Sequence, residues 1–343
     1  MAAQDAPQRH QYLKERAAMK LLKLVPDDTN IKFLKLRIPF FVLSIVLIVG
    51  SWAAVLTNGL NFGVDFAGGQ EVRMTFEERE AAPIASLREL VAGLGYGEPV
   101  VQEFGGPKTV SIRVALPEGA EDTPGAATAI GANVIASITK EYPDARADGN
   151  DTVSGKVAGE FRDQAILALL AAMAAVSIYI WVRFEWQFGV GAMFALVHDV
   201  SVTVGLFALT QMEFSLQIVA AILAIIGYSL NDTVVVYDRI RENLKKFRKM
   251  PLPELLDLSV NETLSRTVMT SLSLFVALIP LLIFGPPSLF GMVAAITAGL
   301  FIGTYSSVYM AGPLLLWMGV TSNSFVPTES AADRQEKLAR GEG

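Results

Sequence analysis

Residues 215–243 read SLQIVAAILAIIGYSLNDTVVVYDRIREN. The run from Leu216 to Ile226 is apolar enough to sit in lipid, and an α-helix needs roughly 20 such residues to cross about 30 Å of hydrocarbon. A crossing that starts at Leu216 therefore continues through Asn231 and Asp232. A carboxylate at the bilayer centre costs about 2.5–3.5 kcal/mol on insertion scales and more by other estimates. Asp232 needs a partner or a task.

The rest of the chain supports a membrane setting. Of its 343 residues, 52% are hydrophobic and 18% charged, and the mean hydropathy is +0.42, away from the balance of a soluble domain. Stretches of spanning length recur at 38–58, 164–182, 188–210, 216–236, 265–285 and 289–318, which predicts six transmembrane helices. The last is long, implying tilt or an extension past the bilayer. The first follows a long charged segment, exceeds a signal-peptide core in length and lacks a small-residue cleavage site, so it reads as a retained span. The absence of cysteine excludes disulfides, thiolate metal sites and a cysteine nucleophile. A net charge of −6 without a long block of like charge argues against nucleic-acid binding.

Basic residues flanking spans tend to stay cytoplasmic. Lys14, Arg16, Lys20, Lys23, Lys32, Lys35 and Arg37 precede the first span, and Arg239, Arg241, Lys245, Lys246, Arg248 and Lys249 follow the fourth. An even number of crossings puts both groups on one side, predicting a cytoplasmic N-terminal segment (1–37) and C-terminal tail (319–343). The first helix occupies 38–58 and the other five occupy 164–318. The segment 59–163, with Glu77, Glu78, Glu80, Glu121 and Asp122, is acidic on balance and falls outside. Within it QEVRMTF alternates as a strand, IASLRELVAGLG is helical, VVQEF and TVSIRVAL are strands joined across GGPK, GAATAIGANVIASITKEY is helical, and a last strand runs through 145–157. The order strand, helix, strand, strand, helix, strand is that of a ferredoxin-like split unit. The expected fold class is thus a six-span α-helical polytopic membrane protein with a small α+β ferredoxin-like extracytoplasmic domain between helices 1 and 2.

Enzyme chemistry finds little support. The chain has no phosphate-cradling P-loop, zinc-binding His-Glu-x-x-His helix or Gly-x-Ser-x-Gly elbow, and its histidines are His10 and His198 alone. GVDFAGG at 63–69 does not fit a dinucleotide fingerprint and reads as a glycine-permitted turn. The unusual residues are the polar ones inside spans. His198 and Asp199 lie near the middle of the third, where they either hydrogen-bond a neighbouring helix or serve ion passage. Asp232 lies in the cytoplasmic half of the fourth, and Arg266 stands at the start of the fifth, close enough for the two to pair. Alternatively, Asp232 sits by the headgroups and Arg266 snorkels to them; the cluster Tyr228, Ser229, Asn231, Asp232 and Thr233 exceeds what such anchoring requires. Desolvation favours a neutral carboxyl and a guanidinium favours a charged one, so helix separation could decide whether Asp232 holds a proton.

Other motifs read as structural. Gly291, Ala295, Gly299, Gly303 and Ser307 recur every four residues, a smooth stripe for close helix packing. Ile240, Leu244 and Phe247 share one face of a basic segment, as in an interfacial helix on an anionic lipid leaflet, or else the segment is a solvated connector. GPP at 285–287 marks a tight outer turn.

GVDFAGG at 63–69, RFEW at 183–186, HDV at 198–200, GYSLNDTVVVYDRIREN at 227–243 and TLSRT at 263–267, in this order and over nearly the whole chain, resemble the SecF branch of the SecD/SecF family of protein-export membrane proteins, within the RND superfamily. The resemblance implies an RND-type half that pairs with SecD, often with YajC, beside the SecYEG channel of the bacterial inner membrane. It also implies that the proton-motive force moves the outer domains to help a translocating unfolded polypeptide across, with the proton as coupling ion and no other cofactor. It places the proposed proton path on Asp232 and Arg266, beside which His198 and Asp199 stand as second choices from their position in the third span alone, and the family's glycine motif on Gly63, Asp65, Phe66, Gly68 and Gly69. Two other readings stand beside it: an RND-type half-transporter of a small molecule or lipid, and a passive scaffold of the Sec complex.

Overall fold

The computed structural model describes residues 25–26, 29–116 and 125–320. His10, the basic residues Lys14, Arg16, Lys20 and Lys23, the acidic pair Glu121 and Asp122, and the tail from 321 lie outside the described residues.

Among the described residues, six helices are long and apolar enough to cross a membrane: Phe33–Asn58, Gly155–Arg183, Trp186–Thr210, Leu216–Lys246, Leu252–Phe284 and Pro287–Trp317. The first comprises a 3₁₀ turn, Phe33–Leu36, and α1, Arg37–Asn58. A short helix α2, Val64–Ala67, opens the inserted domain. The domain continues as β1 (Gly69–Phe76), α3 (Ile84–Ala92), β2 (Val100–Glu103), β3 (Thr109–Val114), α4 (Ala126–Glu141) and β4 (Ala145–Val153). The remaining crossings are α5 (Gly155–Arg183), α6 (Trp186–Thr210), α7 (Leu216–Lys246) and α8 (Leu252–Phe284), then α9 (Pro287–Ser306), a π turn at Ser307–Ala311 and α10 (Gly312–Trp317).

Helices α6 and α7 form the centre of the bundle, half buried along their apolar lengths, whereas α1, α5 and α8 present most of theirs outward. Small residues set the close approaches. A Cβ on Gly205 of α6 would lie 2.7 Å from the Ser51 backbone of α1, a contact that backbone cannot yield to. Gly205→Ala is therefore expected to push α1 from α6 at a cost of about 1–3 kcal/mol. A thermal unfolding midpoint lowered by roughly 2 °C or more in detergent would register it.

The fourth and fifth spans run longer than the apolar stretches 216–236 and 265–285 suggest. Beyond the expected end of span four, Ile240 and Leu244 are fully buried against Leu255, Leu256 and Val260 of α8, with Leu34 closing the cluster and Phe247 packed on it. Asn243 Nδ2 donates to Ser259 Oγ at 3.0 Å and to Glu262 Oε2 at 2.7 Å, and Arg239 Nε meets Glu262 at 2.7 Å. The segment is thus neither a lipid-surface helix nor a solvated connector. It is half of a helical hairpin whose apolar face is covered by its own chain.

The inserted domain is one antiparallel sheet in the order β2-β3-β1-β4. Alternation along β1 turns Val72, Met74 and Phe76 to a core shared with Val110 and Ile112, Leu87 and Val91 of α3, and Val134 and Ile138 of α4. The intervening Glu71 and Arg73 project to the opposite side of the sheet. Gly68 (φ 72°) and Gly69 (φ 117°) make the turn into β1 in the left-handed region that glycine favours. A Cβ on Gly69 would stand 2.8 Å from the Val114 carbonyl oxygen.

The domain docks on the bundle end where α7 and α9 begin. Phe62 and Phe214 form a parallel bridge, their rings pack edge-on, and Phe66 joins them. Asp65 Oδ2 accepts the first backbone N–H of α7, from Leu216, at 2.8 Å. This satisfies one of the donors a helix start leaves open. Lys32, Lys35 and Arg37 and the basic run over the last turns of α7 and just past it gather at the opposite end, where Leu34 N donates to Asp257 Oδ1 at 2.9 Å.

Candidate functional site

The bundle core holds two carboxylates. On α6, His198 and Asp199 are fully buried, and on α7 Asp232 is 4% exposed. His198 Nδ1 lies 2.9 Å from Asp199 Oδ1, and Asp199 Oδ2 accepts from Ser229 of α7 and, at 2.9 Å, from Ser306 of α9. Asp232 accepts from Thr267 of α8 at 2.5 Å on Oδ1 and from Ser307 at 2.8 Å on Oδ2. Adjacent residues on a helix diverge by about 100°, so Ser306 and Ser307 reach different carboxylates. They stand where α9 gives way to the π turn, a local irregularity often found at functional sites. A further hydroxyl chain, Tyr228 to Ser271 at 2.7 Å and Ser271 to Thr304 at 3.0 Å, crosses α7, α8 and α9 beside them.

The glycine stripe makes this meeting possible. Along α9, Gly299 faces Ile225 and Gly303 faces Ser229, where a Cβ on Gly303 would lie 3.1 Å from the serine Cβ; Gly291 faces Ile218, and Ala295 is fully buried. Ser307 departs from its expected packing role. At the π turn its hydroxyl binds Asp232 Oδ2 while also reaching the Thr304 carbonyl at 3.1 Å.

Arg266 does not pair with Asp232. One residue before Thr267, it points to another side of α8, is exposed, and lines a cleft of about 300 Å³ with Asp238, Arg239, Glu242 and Glu262. Asn231 is likewise exposed, one residue before Asp232 on α7. The motif residues Gly63, Asp65, Phe66, Gly68 and Gly69 lie away from the carboxylates, at the domain joint. The sequence signal for Thr267 was its place in TLSRT; for Ser306 there was none beyond a hydroxyl near a glycine stripe.

Six helices of crossing length, ionisable groups bound by hydroxyls at their core, and an α+β domain inserted after the first of them define a polytopic helical membrane protein with a polar core. Residues 133–321 match the family model for protein export membrane protein SecD/SecF, C-terminal, and residues 53–78 match the SecD/SecF GG motif. The chain is similar to protein translocase subunit SecF of Cereibacter sphaeroides, 45% identical over 302 residues covering 87% of this chain and 93% of that protein. It is also similar to protein translocase subunit SecF of Pseudomonas aeruginosa, 37% identical over 308 residues covering 88% and 95%. Among solved structures, SecDF of Thermus thermophilus, a translocon-associated membrane protein, superimposes with a TM-score of 0.79 at 30% identity. That match covers 91% of this chain and 42% of the SecDF chain. SecDF in a super-membrane-facing form superimposes with a TM-score of 0.64 at 27% identity, over 97% and 43%. The chain belongs to the SecD/SecF family of protein-export membrane proteins. It spans less than half of the solved SecDF chains.

Proposed function

We propose that the chain is the SecF-type half of a SecD–SecF pair in the bacterial inner membrane, and that it uses the proton-motive force to assist Sec-dependent export of unfolded polypeptide. The observation that carries this reading is the pair of core carboxylates, Asp199 and Asp232, each bound by side-chain hydroxyls from neighbouring helices. A hydroxyl donates to a carboxylate and accepts from a carboxylic acid, so either group can exchange a proton without losing its partners. Intramembrane ionisable residues mark ion pathways far more often than assembly requires them, which favours this reading over a passive scaffold. The role needs no covalent chemistry and no cofactor other than the proton.

The energetics suit the task. A proton crossing delivers about 2.3 kcal/mol per 100 mV, whereas moving a two-state arrangement from 1:99 to 99:1 takes about 5.5 kcal/mol. One to two protons at a substantial gradient would bias the arrangement decisively.

Arg266 supports the partner. An exposed guanidinium beside Asp238, Arg239, Glu242 and Glu262, with Asn231 exposed further along α7, makes a polar face ill suited to lipid. A second half, SecD, covers that face in this reading, and only there does Arg266 join the proton path. Basic residues at the end opposite the domain support a cytoplasmic location for both termini, with the inserted domain on the periplasmic side; its strand order supports reading it as a ferredoxin-like unit. SecYEG and YajC complete the proposed assembly.

The test is preprotein translocation into inverted membrane vesicles that carry the SecD–SecF pair, measured with and without a proton gradient, for wild type and Asp232→Asn. Gradient-dependent export lost while SecD still copurifies supports the reading; normal export with intact pairing overturns it.

A further inference from the structure

The joint between the inserted domain and the bundle holds an open cleft of about 840 Å³, and the proton path described above makes no use of it. Glu213, in the turn between α6 and α7, stands at its wall. Its Oε2 accepts from Gln102 Nε2 of β2 at 3.2 Å. A Cβ on Gly63, two residues before Asp65, would meet Glu213 Oε1 at 2.5 Å, so the motif's first glycine leaves room for this carboxyl. Gln102 is in turn bound at 2.5 Å by Asn61 Nδ2, which also donates to the Gln211 carbonyl at 2.7 Å. Arg113 of β3 donates to Asn61 Oδ1 and to the Phe62 carbonyl.

Glu213 therefore sits where the sheet, the glycine motif and the start of α7 meet. The Asp65 cap and the Phe62–Phe214 bridge fix the chain on either side of it to the same joint. Asp232 is carried by the helix that starts there, sixteen positions on from Leu216, or about 24 Å at 1.5 Å per residue. A shift of the domain against the bundle must pass through these contacts to reach α7.

We propose that Glu213 is a positioning residue of the proton-coupled cycle, a latch that holds the inserted domain on the outer end of α7 when protonated and loosens it when ionised. The proposal rests on the reading that this domain faces the outer solution and moves during export.

The charged groups around Glu213 set the direction. Asp65 on α2, Glu71 and Arg73 on β1, Glu103 on β2, Arg113 on β3 and Asp151 on β4 line the joint or act on the carboxyl. Arg73 is committed to Asp151 and lies 3.5 Å from Glu71, and Glu71 is itself buried, bound by Ser111 at 2.7 Å. Burial first, then the charge of Glu71, push the Glu213 carboxyl up to about 7, with Arg113 and Arg73 pulling the other way and Asp65 adding to the rise. A carboxyl raised by folding is more proton-bound in the folded joint than in the free chain. Its contribution is therefore most favourable below the free value of 4.5, declines as pH rises from there to about 7, and is level above. An acidic outer solution, the condition a proton-motive force creates, closes the latch.

Because the chain has no cysteine, Ser86→Cys on α3 and Leu209→Cys on α6 can carry a unique spin-label pair in the full-length protein in lipid nanodiscs. The distance distribution between them, followed from pH 4.5 to 8.5, should shift as pH rises toward about 7 and stay level above. Glu213→Gln should hold the low-pH distribution throughout, and Glu71→Gln should move the shift to lower pH. A wild-type distribution unchanged across the range, or the same shift in Glu213→Gln, overturns the latch. Neither result touches the proposed function, since export that depends on Asp232 would stand; normal export by Asp232→Asn beside a pH-sensitive joint would overturn the function and leave the latch.

Discussion

Asp232→Asn should assemble like wild type and lose proton-driven export. The amide keeps one oxygen to accept from Thr267 or Ser307, which bind the two carboxyl oxygens at 2.5 and 2.8 Å. Its NH₂ can donate to the other hydroxyl, which rotates to accept. Because both hydroxyl partners are kept, the change leaves about 1–2 kcal/mol at stake, too little to unpack α7 from α8 and α9. What the amide cannot do is take up and release a proton. If Asp232 carries the coupling, gradient-dependent translocation falls to the level seen with the gradient collapsed, while the gradient-independent portion and copurification with SecD are unchanged. A fall in both portions together would indicate misassembly, which a lowered melting midpoint would reveal.

The crossings were legible because lipid leaves a chain few options: a backbone in hydrocarbon satisfies its own polar groups, as a helix does. Hydropathy alone therefore locates α1 and α6 well, whereas α5 begins at Gly155, nine residues before the apolar stretch 164–182, because its first turns, GKVAGEFRDQ, are polar and helical and take residues expected in the last strand. It misplaces the inner ends of α7 and α8 for an equally physical reason. Ile240, Leu244 and Phe247, interrupted by Arg241, Lys245 and Lys246, carry the local pattern of a surface helix. Only the partner face, Leu255, Leu256 and Val260, tells that the pattern is a buried seam, and no local rule pairs the two segments.

The site was legible by residue type and illegible by partnership. Asp199 and Asp232 stand out as costly groups in apolar runs, but their donors come from other helices: Ser306 is 107 positions from Asp199, and Ser307 is 75 from Asp232. The expected Asp232–Arg266 pair fails by one residue, since the side of α8 that meets α7 at this level bears Thr267. Glu213 drew no notice in the sequence at all. Its setting arises from docking the sheet face that bears Gln102, Glu71 and Arg113 against a turn about a hundred residues further on, and alternation along β1 and β3 does not say what that face will meet.

Asp199 separates packing from proton work. Asp199→Ala removes the acceptor of Ser229 and Ser306 and the partner of His198 Nδ1 in a site with no exposed surface. Ser306 retains the Gly303 carbonyl at 3.1 Å, so two groups are left without partners, at about 1–3 kcal/mol each, together with the void of the deleted carboxyl. A melting midpoint several degrees lower, with reduced recovery of folded protein, is expected. Asp199→Asn keeps an oxygen for Ser229 and Ser306 and should melt close to wild type. Because Ser306 and Ser307 adjoin at the π turn and bind the two carboxyls in turn, the charge state of Asp199 bears on the same stretch of α9 as that of Asp232. Asp199→Asn should therefore lose gradient-dependent export despite its stability. If it exports normally with an unchanged melting midpoint, Asp199 serves packing alone and the coupling passes through Asp232 without it.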